Sequence, residues 1–445
     1  MQNRINAALE AAKETVLAIE RHIWQHPETG YREEKTARYL ADRFEELGYT
    51  LTYADGIPGF YTVVDTGKEG PELLILGELD SVICPTHPEA DPKTGAVHAC
   101  GHHAQCAALY GIAAALKEPA VLEGLSGRIR LCAVPAEELL ELEYRRTLRE
   151  EGKIKYFGGK CEFLSRGYFD GVDLAFMVHT AGGRCIVGGS NGCIAKNVIY
   201  KGKAAHAGGA PHDGVNALYA ATCGINAINA IRETFIDENH TRVHPIITAG
   251  GNVVNTVPDT AVLESYVRGA SFEALVTENR KVNRALCGAA LSLGANVEIV
   301  DIPGYSPLTC DRGMLEVARR AAEIAFPGEP MWYAPDLIDR GSTDMGDLSC
   351  VMPVVHPYCG GSRGAGHGSD YEIVNPIAAC IDSAKWQLTM MRLLLEDGAK
   401  RARDIVKNFI PRFATKEEFL AYKDTMSCEG DRILYREDGR AEVIL

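Results

Sequence analysis

The run Glu72-Leu73-Leu74-Ile75-Leu76-Gly77-Glu78-Leu79-Asp80 is continuously apolar through its middle and then turns acidic. Such a run reads as a β-strand, and acidic residues at its carboxyl end point at a site. Two further runs repeat the pattern. Arg128-Ile129-Arg130-Leu131-Cys132-Ala133-Val134 stops at Pro135-Ala136-Glu137-Glu138, and Val172-Asp173-Leu174-Ala175-Phe176-Met177-Val178 stops at His179. Three strands that deliver reactive side chains at their carboxyl ends describe an open α/β sheet, which binds ligands at that edge.

Between the first two strands lies Val97-His98-Ala99-Cys100-Gly101-His102-His103, one thiol and three imidazoles at the mouth of a small-residue helix. In an extended segment the side chains of Cys100 and His102 leave the same face, about 6–7 Å apart at Cα, close enough to converge on one ion or two adjacent ones. Glu137 and Glu138 project to different sides, so one can ligate a cation while the other takes a proton from a water beside it. Alone, His179 reads as a satisfied core histidine and Glu137-Glu138 as a solvated pair. Together with Cys100 and His102, and with His367 in the glycine-rich loop 359–368, they make a mixed N, O and S donor set. Such a set suits two divalent ions, Zn or Mn, better than Ca or Mg.

The 445 residues, 46% hydrophobic and 24% charged, are enough for two or three domains. A net charge of -14, with lysines and arginines scattered, excludes general nucleic-acid binding. No run approaches the ~18 apolar residues of a membrane span, and the first twenty residues read as an amphipathic helix instead of an export signal. The 14 dispersed cysteines fit free thiols in a reducing compartment, so a cytoplasmic location is expected. From about Asn191 the pattern becomes β-α-β-β-α-β, a ferredoxin-like α+β domain inserted into the first. The expected division is a catalytic domain over 1–189 and 304–445, an insert over 190–303, and an appended tail from about 411.

The motifs His98-Ala99-Cys100-Gly101-His102, Pro135-Ala136-Glu137-Glu138, Val178-His179, Ala205-His206-Ala207-Gly208 and Asn255-Thr256-Val257-Pro258 resemble the two-metal amidohydrolase/metallopeptidase family of aminoacylase/carboxypeptidase type. The resemblance is to the branch of aminobenzoyl-glutamate hydrolase, auxin-conjugate hydrolases and β-alanyl dipeptidase, and runs from His22 to about Arg392. It implies a zinc-exopeptidase-like, mixed-sheet catalytic domain with the inserted domain acting as lid and dimerisation module. It also implies Cys100, His102, Glu138, His179 and His367 as metal ligands, Glu137 as general base, and Asp80 as a carboxylate orienting the site. His206 would reach a partner subunit's site to stabilise an oxyanion, and Asn255 and Arg268 would hold the substrate carboxylate. The implied reaction is cleavage of an amide between a small acyl or aminoacyl group and an amino acid with a free carboxylate, by a homodimer.

Three departures stand out. His103 occupies a position where the family commonly has Asp or Asn, which makes it an extra ligand, a proton shuttle or a neutral replacement. Residues 139–160 follow the paired glutamates where the family continues with Gly, either reshaping the substrate pocket or forming a solvated helical excursion. The tail beyond 411 has no counterpart. Two other readings compete: a hydrolase with Cys100 as nucleophile, which leaves Glu138, His179 and His367 without a role, and a non-catalytic binding protein that retains the fold.

Overall fold

The computed structural model describes residues 2–445 and divides into two compact units. The first comprises the chain up to Gly189 with Thr309–Asp339 and Asp347–Lys416; the second comprises Ser190–Leu308, Arg340–Gly346 and Glu417–Leu445.

The main sheet of the first unit has six strands in the order Thr52–Tyr53, Phe60–Asp65, Arg128–Val134, Glu72–Glu78, Leu174–Phe176 and Val354–Val355. The first two pairs in this order are antiparallel, and the remaining pairs are parallel. Every residue of Glu72–Glu78 is buried, as its apolar run requires of a strand flanked on both edges and covered on both faces. Register sets the site: Glu78 stands opposite Val134, so Leu79-Asp80 and Pro135–Glu138 leave the sheet side by side. Leu79 N–H donates to Val134 O at 3.0 Å and keeps the two exits together. Ala175–Phe176 pairs with Val354–Val355, which brings His179 and His356 out at the same edge. The third expected strand is shorter than its apolar run, because only residues 174–176 find ladder partners.

The helix His102–Leu116 lies on this sheet and is buried at every residue but Ala114. Its Ala- and Gly-rich sequence allows that, since small side chains let neighbours approach from all sides. It packs on the Glu72–Glu78 strand, on the C-terminal helix Ser383–Asn408, and on the apolar stripe Ile5, Leu9, Val16, Ile19 and Ile23 of the helix Gln2–Trp24. Each such side chain contributes roughly 1.5–3 kcal/mol by leaving water. The helix Ser383–Asn408 is preceded by a π-helical turn, Ile377–Asp382, and is interrupted by left-handed residues at Asp397, Gly398 and Ala399.

The second unit contains an antiparallel sheet in which the strand Gly192–Lys201 lies between Thr260–Gly269 and Asn296–Pro303. The helices Ala217–Ile231 and Phe272–Ser292 pack on it around Val198, Tyr200, Leu263, Val282 and Leu286. Element order and pairing are those of the ferredoxin-like arrangement. The tail, which the sequence places with the catalytic domain, groups here from Glu417 onward. Cys428 N–H and Asp301 O, and Asp301 N–H and Cys428 O, pair at 3.2 and 2.8 Å, so the tail adds backbone hydrogen bonds to the edge of Asn296–Pro303. Among the described residues no helix is long and apolar enough to cross a membrane.

Candidate metal centre

The donors singled out in the sequence meet in the first unit. Three groups of ligand atoms lie within 4.8 Å of one another: Cys100, His102 and His179; Cys100, Glu138 and His367; and Glu78, His102 and Glu137. The groups interlock through Cys100 and His102, so two adjacent cation positions share a thiolate.

Local backbone explains the convergence. Gly101 precedes the helix at φ 90°, and a Cβ there would stand 2.0 Å from Thr180 Oγ1, so the turn that sets Cys100 and His102 on either side of it admits only glycine. His102 Nδ1 lies 3.0 Å from Asp80 O and 3.1 Å from Asp80 Oδ1. Donation from Nδ1–H to these oxygens leaves the Nε2 lone pair facing the site, the tautomer a metal-binding imidazole needs. Asp80 Oδ2 also accepts from Glu138 N–H at 2.7 Å, so one carboxylate orients a histidine and a glutamate together. His179 Nε2 is 3.5 Å from Cys100 Sγ, and His367 Nε2 is 2.9 Å from Glu138 Oε1. The loop carrying His367 is docked by its own N–H on Ala99 O at 2.8 Å.

The electrostatics are those of an anionic donor set. Burial and Glu138 push the Cys100 thiol up, but His102 and His179 outweigh them and bring it down to about 6. Burial raises the Glu138 carboxyl, yet His367 and His102 hold it at about 2. Glu138 and Cys100 in turn raise His367 to about 11. His102 Nε2 is buried and makes no hydrogen bond in the structure, as expected of an atom aimed at a metal. Thiolate, imidazole and carboxylate donors fit borderline divalent ions, and the two thiol-containing groups describe a dinuclear site.

Other expected residues lie elsewhere. His103 is fully buried, with Nε2 3.2 Å from Glu20 Oε1 and its ring edge-on to Trp24, and belongs to none of the three donor groups. His206, Asn255 and Arg268 belong to the second unit. His206 Nδ1 accepts from the N–H groups of Gly208 and Gly209 at 3.1 and 2.9 Å, which places the ring proton on Nε2. Ala207 N–H donates to Asn255 O at 3.0 Å, so His206 and Asn255 sit on paired segments. Arg268 Nη1 donates to Ser342 Oγ at 2.8 Å.

The segment 139–160 is a scaffold and not a solvated excursion. Arg145 is fully buried and donates to Phe157 O at 2.6 Å and to Glu138 O. Gly159 N–H donates to Ala136 O at 3.1 Å, and Glu33 Oε1 accepts from Ala136 N–H at 2.7 Å. Ala136 itself is held at φ 56°, a conformation costly for a residue with a Cβ, immediately before the two glutamates. Sequence reasoning pointed Glu78, with Asp80, at the site without giving it a role, and it missed Glu33, Arg145 and Lys160, whose short stretches carry no such signal.

The chain matches the peptidase family M20/M25/M40 over residues 74–391, a span that contains every donor above. The chain belongs to that family. It is 30% identical over 386 residues to a human Xaa-Arg dipeptidase, covering 82% of this chain and 80% of the relative. It is 29% identical over 346 residues to one of the subunits of the Escherichia coli p-aminobenzoyl-glutamate hydrolase, covering 75% of this chain and 66% of that relative. In fold it is similar to a putative aminohydrolase from methicillin-resistant Staphylococcus aureus (TM-score 0.68, 22% identity, 88% of this chain and 99% of that one). It is also similar to a Bacillus subtilis dinuclear metal binding peptidase from the M20 family (TM-score 0.62, 20% identity, 87% and 99%). Family membership and the clustered donors together make this M20 chain a metal-dependent amidohydrolase or peptidase.

Proposed function

We propose that this M20 enzyme cleaves the amide bond between a small acyl or aminoacyl group and an amino acid with a free carboxylate, using two Zn or Mn ions. The observation that carries the proposal is the interlocked donor set: Cys100 between two groups, His102 and His179 on one side, Glu138 and His367 on the other. The relatives that cleave Xaa-Arg dipeptides and p-aminobenzoyl-glutamate support the substrate class. When bound, the ions polarise the scissile carbonyl and acidify the attacking water.

The residues then divide the work. Glu137, whose Oε2 lies 3.9 Å from His102 Nε2, takes the proton of the attacking water and passes it to the leaving amine. Asp80 fixes His102 and Glu138 through the contacts above. His206, with its proton on Nε2, is suited to donate to an oxyanion, and Asn255 and Arg268 to hold the substrate carboxylate. We assign the second unit the role of lid and dimerisation module. Its Ile246–Ala249 strand lies at a sheet edge with every residue exposed, including Ile246 and Ile247, which favours burial against a second copy. The cysteines, all free, are in keeping with a reducing, cytoplasmic setting.

A screen of Xaa-Arg and β-alanyl dipeptides, aminobenzoyl-glutamate and N-acetyl amino acids, with Zn- and Mn-loaded protein and release of free amino acid as readout, tests the reading. Turnover of one class that vanishes on metal removal is expected. Two bound metals with no turnover across the panel would instead favour a binding protein.

A further inference from the structure

Beneath the ligand cluster lies a buried ion pair that the assigned ligand set does not use. Lys160 Nζ, fully buried at the end of the 139–160 segment, is 2.5 Å from Glu78 Oε1. The other oxygen, Oε2, accepts from Gln105 Nε2 at 2.9 Å and stands 3.2 Å from His102 Nε2. Burying a lysine and a glutamate costs several kcal/mol per ion before their attraction is counted, so a pair placed here for stability alone would be an expensive choice.

The geometry is that of adjacent ligands. Two N or O donors at about 2.0–2.1 Å from one tetrahedral ion stand about 3.3 Å apart, and Glu78 Oε2 and His102 Nε2 stand 3.2 Å apart. His102 Nε2 is the atom whose lone pair Asp80 turns into the site, and it has no hydrogen bond. A carboxylate oxygen has two lone pairs; Gln105 uses one of those on Oε2, leaving the second for the space in front of His102.

We infer that Glu78 is a further ligand of the ion that His102 holds, and that Lys160, supplied by the 139–160 segment, is the positioning residue that turns Oε2 toward that ion. The inference rests on the two-ion reading above. It gives the segment a direct link to the metal centre: Arg145 and Gly159 set the loop of the paired glutamates, and Lys160 sets the carboxylate beside His102.

The test is Zn2+ titration of chelator-stripped protein against a chromophoric competitor, together with the visible spectrum of the Co2+-loaded protein. Wild type is expected to bind two equivalents. Glu78→Gln and the double variant Glu78→Gln/Lys160→Met are expected to bind one equivalent unchanged and the other at least tenfold more weakly, with an altered cobalt band. The double variant removes both charges, so it leaves no unpaired buried ion to prevent folding. A loss smaller than tenfold, or an unchanged cobalt spectrum, in the folded double variant overturns the assignment of Glu78. Lys160→Met alone is expected to weaken the same single equivalent; weakening both equally, or neither, overturns its positioning role. A wild type that binds fewer than two equivalents would count against the two-ion reading itself, which separates the two failures.

Discussion

Replacing Arg145 by methionine keeps most of the side chain's volume but removes a guanidinium that is fully buried, lies 5.5 Å from the centre of the Tyr31 ring and donates to Phe157 O and Glu138 O. Each buried carbonyl left without a donor costs about 1–3 kcal/mol. Glu138 O keeps a second partner, Leu140 N–H at 2.9 Å, so its loss belongs at the low end of that range. Methionine also avoids the desolvation of a buried charge, which offsets part of the loss. A net destabilisation of about 2–4 kcal/mol is expected, or about 4–8 °C in melting temperature for a unit of this size. Because the same contact holds the backbone of Glu138, kcat/KM should fall by about a hundredfold, the usual cost of a 1 Å misplacement near the chemistry. Thermal unfolding followed by circular dichroism, and steady-state kinetics on the best substrate of the panel, read the two effects. A variant with wild-type melting temperature and wild-type kcat/KM would refute the reasoning that the 139–160 segment scaffolds the paired glutamates.

Three further outcomes follow from the site and the second unit. Glu137→Gln is expected to keep both metals and an unchanged KM while kcat falls by about 10²–10⁴-fold; metal analysis and kinetics check this, and full activity with both metals present would remove Glu137 from the mechanism. Cys100→Asp should retain metal and some turnover, because a carboxylate ligates but forms no thioester, whereas complete inactivity of a metal-loaded Cys100→Asp protein would revive the nucleophilic-cysteine reading. In the second unit, Lys196 and Asp301 form a fully buried pair, with Asn279 and Asn283 on Asp301 Oδ2 at 2.7 and 2.8 Å. Lys196→Met should cost about 3–5 kcal/mol by leaving that carboxylate unpaired. Burial raises the Asp301 carboxyl but Lys196 outweighs it and lowers it, so its contribution is present above the ordinary aspartate value of about 3.9 and is lost as the pH falls through the lower folded value. Denaturation of wild type and Lys196→Met below pH 4 should therefore converge; a gap that stays constant would exclude the linkage.

How much was legible in the sequence depended on whether a residue's role is local. Strand ends are local: an apolar run followed by Asp80, by Glu137-Glu138 or by His179 announces both a buried strand and a site at its exit. The pairing of Glu78 with Val134, and of Ile75 with Phe176, then brings those exits together. The ferredoxin-like order of the insert was equally readable, since the apolar period alternates between 2 and 3.6 from one element to the next. His103 was ambiguous for the opposite reason. It neighbours His102 in the chain, but one step along a helix turns its ring by about 100°, onto Glu20 and Trp24 of the N-terminal helix.

The sequence by itself determined the fold class, the family, and which side chains could ligate a metal, because donor chemistry and strand-end placement are properties of short stretches. Tertiary structure alone decided the supporting frame. Arg145 holds Glu138 O, Glu33 holds Ala136 N–H, and Lys160 meets Glu78 across 82 positions of chain. Nothing in an arginine, a glutamate or a lysine on a polar-looking segment says that it will be buried. That outcome is set by which backbone groups and charges the rest of the fold leaves to be satisfied, and these exist only once the sheet, its exits and the 139–160 segment have come together.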